Sequence, residues 1–206
     1  MGWREQMVTV PVEDEGLTLE GVWQAGKERA AVIAPAHPIY GGSLEHPVVN
    51  EIAYALYREG FASLRFNWRG VGASQGVMSG DPGAAERDYR AALEHVACTV
   101  PGPLTACGYS FGAAAALRVG LGDERVRSLL LVAPPIDLIV DQPLEALERP
   151  LHVIVGSHDA FAPVTALSEL LEPLPCARLD VIPKADHFFA GGGLADLDEL
   201  IRAAVS

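Results

Sequence analysis

Cysteine is scarce in this sequence, and what there is does not pair. Cys98, Cys107 and Cys176 are the only three in 206 residues, far apart and without a C-x-x-C spacing. That excludes a disulfide scaffold and a dithiol redox motif, and leaves buried, reduced thiols as the expectation. Positive charge is also short: 15 Lys+Arg stand against 27 Asp+Glu, for a net charge of −12. No Lys/Arg cluster offsets that balance, so nucleic acid and anionic membrane surfaces are disfavoured as partners. No apolar run approaches the roughly 20 residues of a membrane-spanning helix. The opening MGWREQMVTV lacks the apolar core of a secretory signal, and Gln6 stands where a myristoylation signal on Gly2 needs Ser or Thr. There is no H-E-x-x-H, and no close His/Cys/carboxylate cluster other than His158-Asp159. No metal, no other cofactor and a cytoplasmic location are therefore expected.

What is present is apolar and regularly punctuated. The chain is 50% hydrophobic, enough to bury a sizeable core in one domain spanning residues 1–206. MVTVPV (7–12) and LTLEGVWQ (17–24) read as an antiparallel opening pair. The runs AAVIAPA (30–36), FASLRF (61–66), PLTACG (103–108), SLLLVA (128–133), LHVIV (151–155) and ARLDVI (177–182) follow. Most are continuously apolar, as in parallel strands covered on both faces. Between them lie helical patterns over 47–60, 84–98, 111–120, 164–171 and 194–205. In the first, Val49, Ile52, Ala53, Leu56 and Tyr57 recur at helical spacing, with Pro47 near the start and Gly60 at the end. Strands joined through helices imply an α/β fold with a mixed, mostly parallel sheet and helices on both faces.

In such sheets the chemistry sits beyond the C-terminal strand ends. PLTACG runs into Tyr109-Ser110-Phe111-Gly112 and then a small-residue helix. Strand, sharp turn, helix is the context a nucleophile elbow demands, although a purely structural Gly-Ser-Gly turn would leave the same pattern. A serine hydroxyl needs a base. Six histidines compete: His95 lies mid-helix, His152 opens a strand at its wrong end, His46 precedes a helix, and His37 and His158 follow strands. Only His187 combines a position past the last strand with a glycine-rich flank. Asp159, after the seventh strand, is the preferred acid, and Asp137, after the sixth, is the alternative. The order Ser110, Asp159, His187 is that of the α/β-hydrolases. An oxyanion needs N–H donors. Phe111 supplies the first; Ile39, then Tyr40, are candidates for the second, because Pro38 has no N–H to give. His37 then reads as a residue bracing that loop.

The motifs HPIYGGSLEHPVV, RFNWRGVGASQG, GYSFGA, LVAPP, GSHD and ADHFF occur in that order along nearly the whole chain. Together they resemble the small, lidless serine hydrolases of the α/β-hydrolase superfamily, close to the dienelactone-hydrolase-like group. The resemblance implies an eight-stranded sheet in the order 1-2-4-3-5-6-7-8 and a triad at Ser110, Asp159 and His187. It also makes RFNWRGVGASQG a structural turn, with Arg69 tying neighbouring loops; the G-x-G-x-x-x-G spacing and the lack of an immediate helix speak against a dinucleotide loop. Dienelactone hydrolase itself uses cysteine where this chain has serine, which favours general ester hydrolysis. Only residues 134–150 separate the sixth and seventh strands, too few for a cap domain. A small-molecule, short-acyl ester is the expected substrate. Thioesterase, amidase, peptidase and acyltransferase chemistry, and a non-catalytic binding protein on the same fold, are the alternatives.

Overall fold

The continuously apolar strands are explained by which way successive side chains point. A computed structural model describes residues 4–206; Met1, Gly2 and Trp3, and with them the reading of Gly2, lie outside the described residues. In β3 (Ala30–Ala34), Ala30, Val32 and Ala34 face one core while Ala31 and Ile33 face another. The same division recurs in β6 (Val126–Val132), where Leu129 and Leu131 part from Leu130 and Val132. Fully burying one such side chain contributes about 1.5–3 kcal/mol, so both faces demand helical cover. On one side lie α2 (Pro82–Thr99), α3 (Phe111–Gly122) and α5 (Val164–Leu171); on the other lie α1 (Pro47–Arg58) and α6 (Gly193–Val205).

The remaining strands are β1 (Glu5–Val12), β2 (Leu17–Gln24), β4 (Ala62–Phe66), β5 (Leu104–Tyr109), β7 (Leu151–Gly156) and β8 (Ala177–Ile182). The sheet order is β1-β2-β4-β3-β5-β6-β7-β8. The β1–β2 and β2–β4 pairs are antiparallel and all others parallel. This is the order the resemblance implies. Between β6 and β7 the chain forms only the short α4 (Ile136–Ile139) and a 3₁₀ turn at Leu144–Ala146, so no cap covers the strand ends there.

Several boundaries differ from the sequence reading, each for a local reason. β3 stops at Ala34 rather than at residue 36, because Pro35 has no N–H to continue a ladder. α2 starts at Pro82 rather than at residue 84: Asp81 caps it, its Oδ2 accepting the Ala84 N–H at 2.7 Å, and proline suits a first helical turn. α4 escapes detection because four residues are too few to display a period. The thiols also need correction. Cys107 is buried, but Cys176 is half-buried and Cys98 is exposed, near the C-terminal end of α2 beside Glu94.

Arg69 shows how the loops under the strand ends are tied. Its guanidinium and backbone N–H grip the buried Asp88 of α2, with Nη2–Oδ1 at 2.7 Å and N–Oδ2 at 3.0 Å. Its outer edge reaches Glu15 at 2.6 Å, and Arg87 bonds the same carboxylate. Hydrogen bonds from Arg69 and then Arg87 hold the Glu15 carboxyl down to about 2, against an ordinary value of 4.5. A depressed acid stabilises the fold fully above its unfolded value, and that contribution fades as pH falls through the folded one. Thermal stability should therefore decline between about pH 4.5 and 2, and Glu15→Gln should flatten that part of the profile; an unchanged slope in calorimetric melts would contradict this.

Candidate active site

The turn between β5 and α3 requires each of its glycines. A Cβ on Gly108 would lie 2.2 Å from the carbonyl oxygen of Gly112, and one on Gly112 would lie 2.4 Å from that of Pro35. Strand, helix and the neighbouring β3 end are therefore in backbone contact, and no side chain fits between them. Between the glycines, Ser110 adopts φ 56° and ψ −122°, a left-handed conformation that side chains avoid. Such a residue stores about 1–3 kcal/mol of strain. Its N–H donates to Val132 O at 2.9 Å, which ties the strained residue to β6.

His187 is brought over this serine from the loop after β8. Its Nε2 lies 2.9 Å from Ser110 Oγ, and its Nδ1 lies 2.7 Å from Asp159 Oδ2. An ionised carboxylate can only accept, so the imidazole proton sits on Nδ1 and Nε2 is left to accept from the serine hydroxyl. The second carboxylate oxygen of Asp159 accepts from Phe161 N at 2.8 Å and Ala162 N at 3.0 Å. Ser110, Asp159 and His187 are each at most 8% exposed. Asp137, the alternative acid, lies exposed on α4, and Asp159 holds the place beside His187. Asp186 accepts instead from Phe188 N and Ala190 N, shaping its own loop.

The oxyanion candidates are placed less uniformly. Phe111 opens α3, where the first N–H groups of a helix have no intrahelical acceptor. Ile39 and Tyr40 lie in a 3₁₀ turn, Pro38–Tyr40, capped by His37. Ile39 N–H makes a long 3.3 Å contact with His37 Nδ1, while Tyr40 N–H donates to His37 O at 3.1 Å. His37 thus braces this loop and packs its ring 4.7 Å from that of Phe111. Burial lowers the basicity of His37, His46, His95 and His152, and the nearby His187 adds to the effect on His46. Among the described residues, no cluster of three or more His, Cys, Asp or Glu is placed to hold a metal ion.

Two supporting residues escape a reading by motif. The buried Tyr109 donates its hydroxyl to the His187 carbonyl at 3.0 Å, joining the strand that carries the serine to the loop that carries the histidine. Trp68 donates its indole N–H to Ala36 O at 2.9 Å, holding the chain that leads into the Pro38–Tyr40 turn. The only signal for either is a large aromatic placed close to the glycines of its motif.

Sheet order, elbow and a Ser–His–Asp line converge on the class of α/β hydrolases. Residues 39–147 match the family described as serine aminopeptidase, S33, and the chain belongs to that family. The matched segment includes Ile39, Tyr40, Ser110 and Phe111 and ends before Asp159 and His187. An α/β serine hydrolase homologue from Coxiella burnetii aligns with 98% of this chain and 97% of its own, at 27% identity and a TM-score of 0.87. An α/β serine hydrolase without lid from Xanthomonas campestris covers 98% of this chain and 94% of its own, at 29% identity and a TM-score of 0.84. An uncharacterised protein from Rickettsia prowazekii (strain Madrid E) is 28% identical over 170 residues, 77% of this chain and 71% of that one.

Proposed function

We propose that this hydrolase is a carboxylesterase-type enzyme acting through an acyl-enzyme on Ser110. The observation that carries the reading is the continuous line from Ser110 Oγ through His187 to Asp159, at 2.9 and 2.7 Å. In this scheme Ser110 Oγ attacks the ester carbonyl carbon as His187 Nε2 takes its proton. Asp159 keeps the ring oriented and stabilises its charged form. Phe111 N–H, with Ile39 N–H released from His37, receives the developing oxyanion. His187 then returns the proton to the departing alcohol, and water repeats the cycle on the acyl-enzyme. A fluorophosphonate probe followed by parallel ester, thioester and amide panels tests the reading. Labelling at Ser110 with esters turned over fastest supports it; a chain that takes no label is a binding protein on a hydrolase fold.

The absence of a cap between β6 and β7 supports a short-acyl preference, because nothing there encloses a long chain. Across p-nitrophenyl esters, kcat/KM should be highest for C2–C4 acyl groups and fall for longer chains. A maximum at C8 or beyond would overturn that preference.

A further inference from the structure

Two aromatic side chains beside His187 have no partner in the core. Phe161 and Phe188 are 59% and 60% exposed, and their ring centroids lie 4.9 and 5.5 Å from the His187 imidazole. Neither is on a loose segment. Phe161 N–H donates to Asp159 Oδ1, and its carbonyl accepts from Ile136 N at 3.0 Å. Phe188 N–H donates to Asp186 Oδ1 at 3.0 Å. The neighbouring Phe189 makes the contrast clear: it adopts a left-handed φ of 54° and is buried in the core, 1% exposed. The chain thus accepts a strained backbone that seats one phenylalanine of the pair inside and leaves the other out beside the base.

We infer that Phe161 and Phe188 form the alcohol-side recognition surface, selecting esters of aromatic or bulky apolar alcohols. The inference rests on the proposed esterase reading and deepens it. During acylation a bond forms between Ser110 Oγ and the carbonyl carbon, and the bond from that carbon to the alcohol oxygen breaks. The proton His187 took from Ser110 goes to that oxygen, which must come within hydrogen-bonding reach of Nε2. Whatever the oxygen carries then lies against the exposed side chains flanking the imidazole. These are the two phenyl rings, because the third neighbour, Tyr109, is buried. Aromatic groups favour offset or edge contacts at such separations. The acyl group, held with its carbonyl oxygen towards Phe111 N–H, projects elsewhere.

The test fixes the acyl group and varies the alcohol: ethyl, cyclohexylmethyl and benzyl acetate, with wild type, Phe161→Ala and Phe188→Ala. Wild-type kcat/KM should favour benzyl over ethyl acetate by at least about tenfold, and each variant should reduce that ratio to within about threefold. The variants' ratio between acetyl and butyryl esters of one alcohol should stay unchanged, because the rings do not read the acyl side. Fluorophosphonate should still label Ser110 in both variants, which shows that they fold. Labelling at Ser110 with no alcohol preference, or with a preference that survives both substitutions, overturns the inference alone. No labelling of the wild type overturns the inference together with the esterase reading.

Discussion

Ser110→Ala is expected to lose at least about 10⁴-fold in p-nitrophenyl acetate turnover and all fluorophosphonate labelling, with the fold intact. The size follows from chemistry. Without Oγ no acyl-enzyme forms, and what remains is whatever hydrolysis the oxyanion donors promote in bound substrate. The intact fold follows from the backbone: Gly108, Gly112 and the Ser110 N–H bond to Val132 O are untouched by removing a hydroxyl. A left-handed φ at residue 110 persists in the alanine variant, so the melting temperature should stay within a few degrees of wild type. Retained turnover in a correctly folded variant would remove Ser110 from the mechanism.

The second large effect lies away from the site. Asp88→Ala should lower the unfolding free energy by about 3–5 kcal/mol, the usual loss when one partner of a buried ion pair is removed. For a chain of this length that is a fall in Tm of roughly 6–15 °C. Asp88 is 1% exposed and receives both the side chain and the backbone N–H of Arg69. Burial pushes its carboxyl above the usual aspartate range, and the hydrogen bonds and charge of Arg69 pull against that. Deleting the carboxylate leaves a buried arginine side chain with only Glu15 on its outer edge. The paired replacement Arg69→Met with Asp88→Leu should recover much of the loss, because two apolar groups carry no desolvation penalty. A cost below about 1 kcal/mol for Asp88→Ala in denaturant titrations would mean that the pair does not hold these loops.

The sheet was legible from sequence because its strands are covered on both sides. Burial on two faces forces unbroken apolar runs, and those runs survive in the sequence of β3, β5, β6 and β7. Ser110, Asp159 and His187 were legible for a related reason: each follows a strand closely, so chain position alone places it at one rim of the sheet. What depends on side-chain direction was not legible. Nothing local in H-F-F says that Phe189 turns inward and Phe188 outward; the packing of the last helix decides it. Ile39 and Tyr40 could be named as donors, but where their N–H groups point depends on His37 capping the turn they share. Cys98 was misplaced because its helix is amphipathic, and the residue lies on that helix's wet side.

His187 follows an edge strand of the sheet. β8 is the outermost strand opposite β1, has β7 as its one neighbour in the sheet, and buries only Ile182 fully. Three hydrogen bonds tie the histidine back to the interior: Tyr109 Oη to its carbonyl, Nδ1 to Asp159 and Ser110 Oγ to Nε2. Sheet edges open at lower free energy than central strands. The central scaffold with the serine turn can therefore stay whole while the border strand frays and carries the imidazole out of register. Loss of the Ser110–His187 contact and global unfolding are then two separate thresholds in this protein.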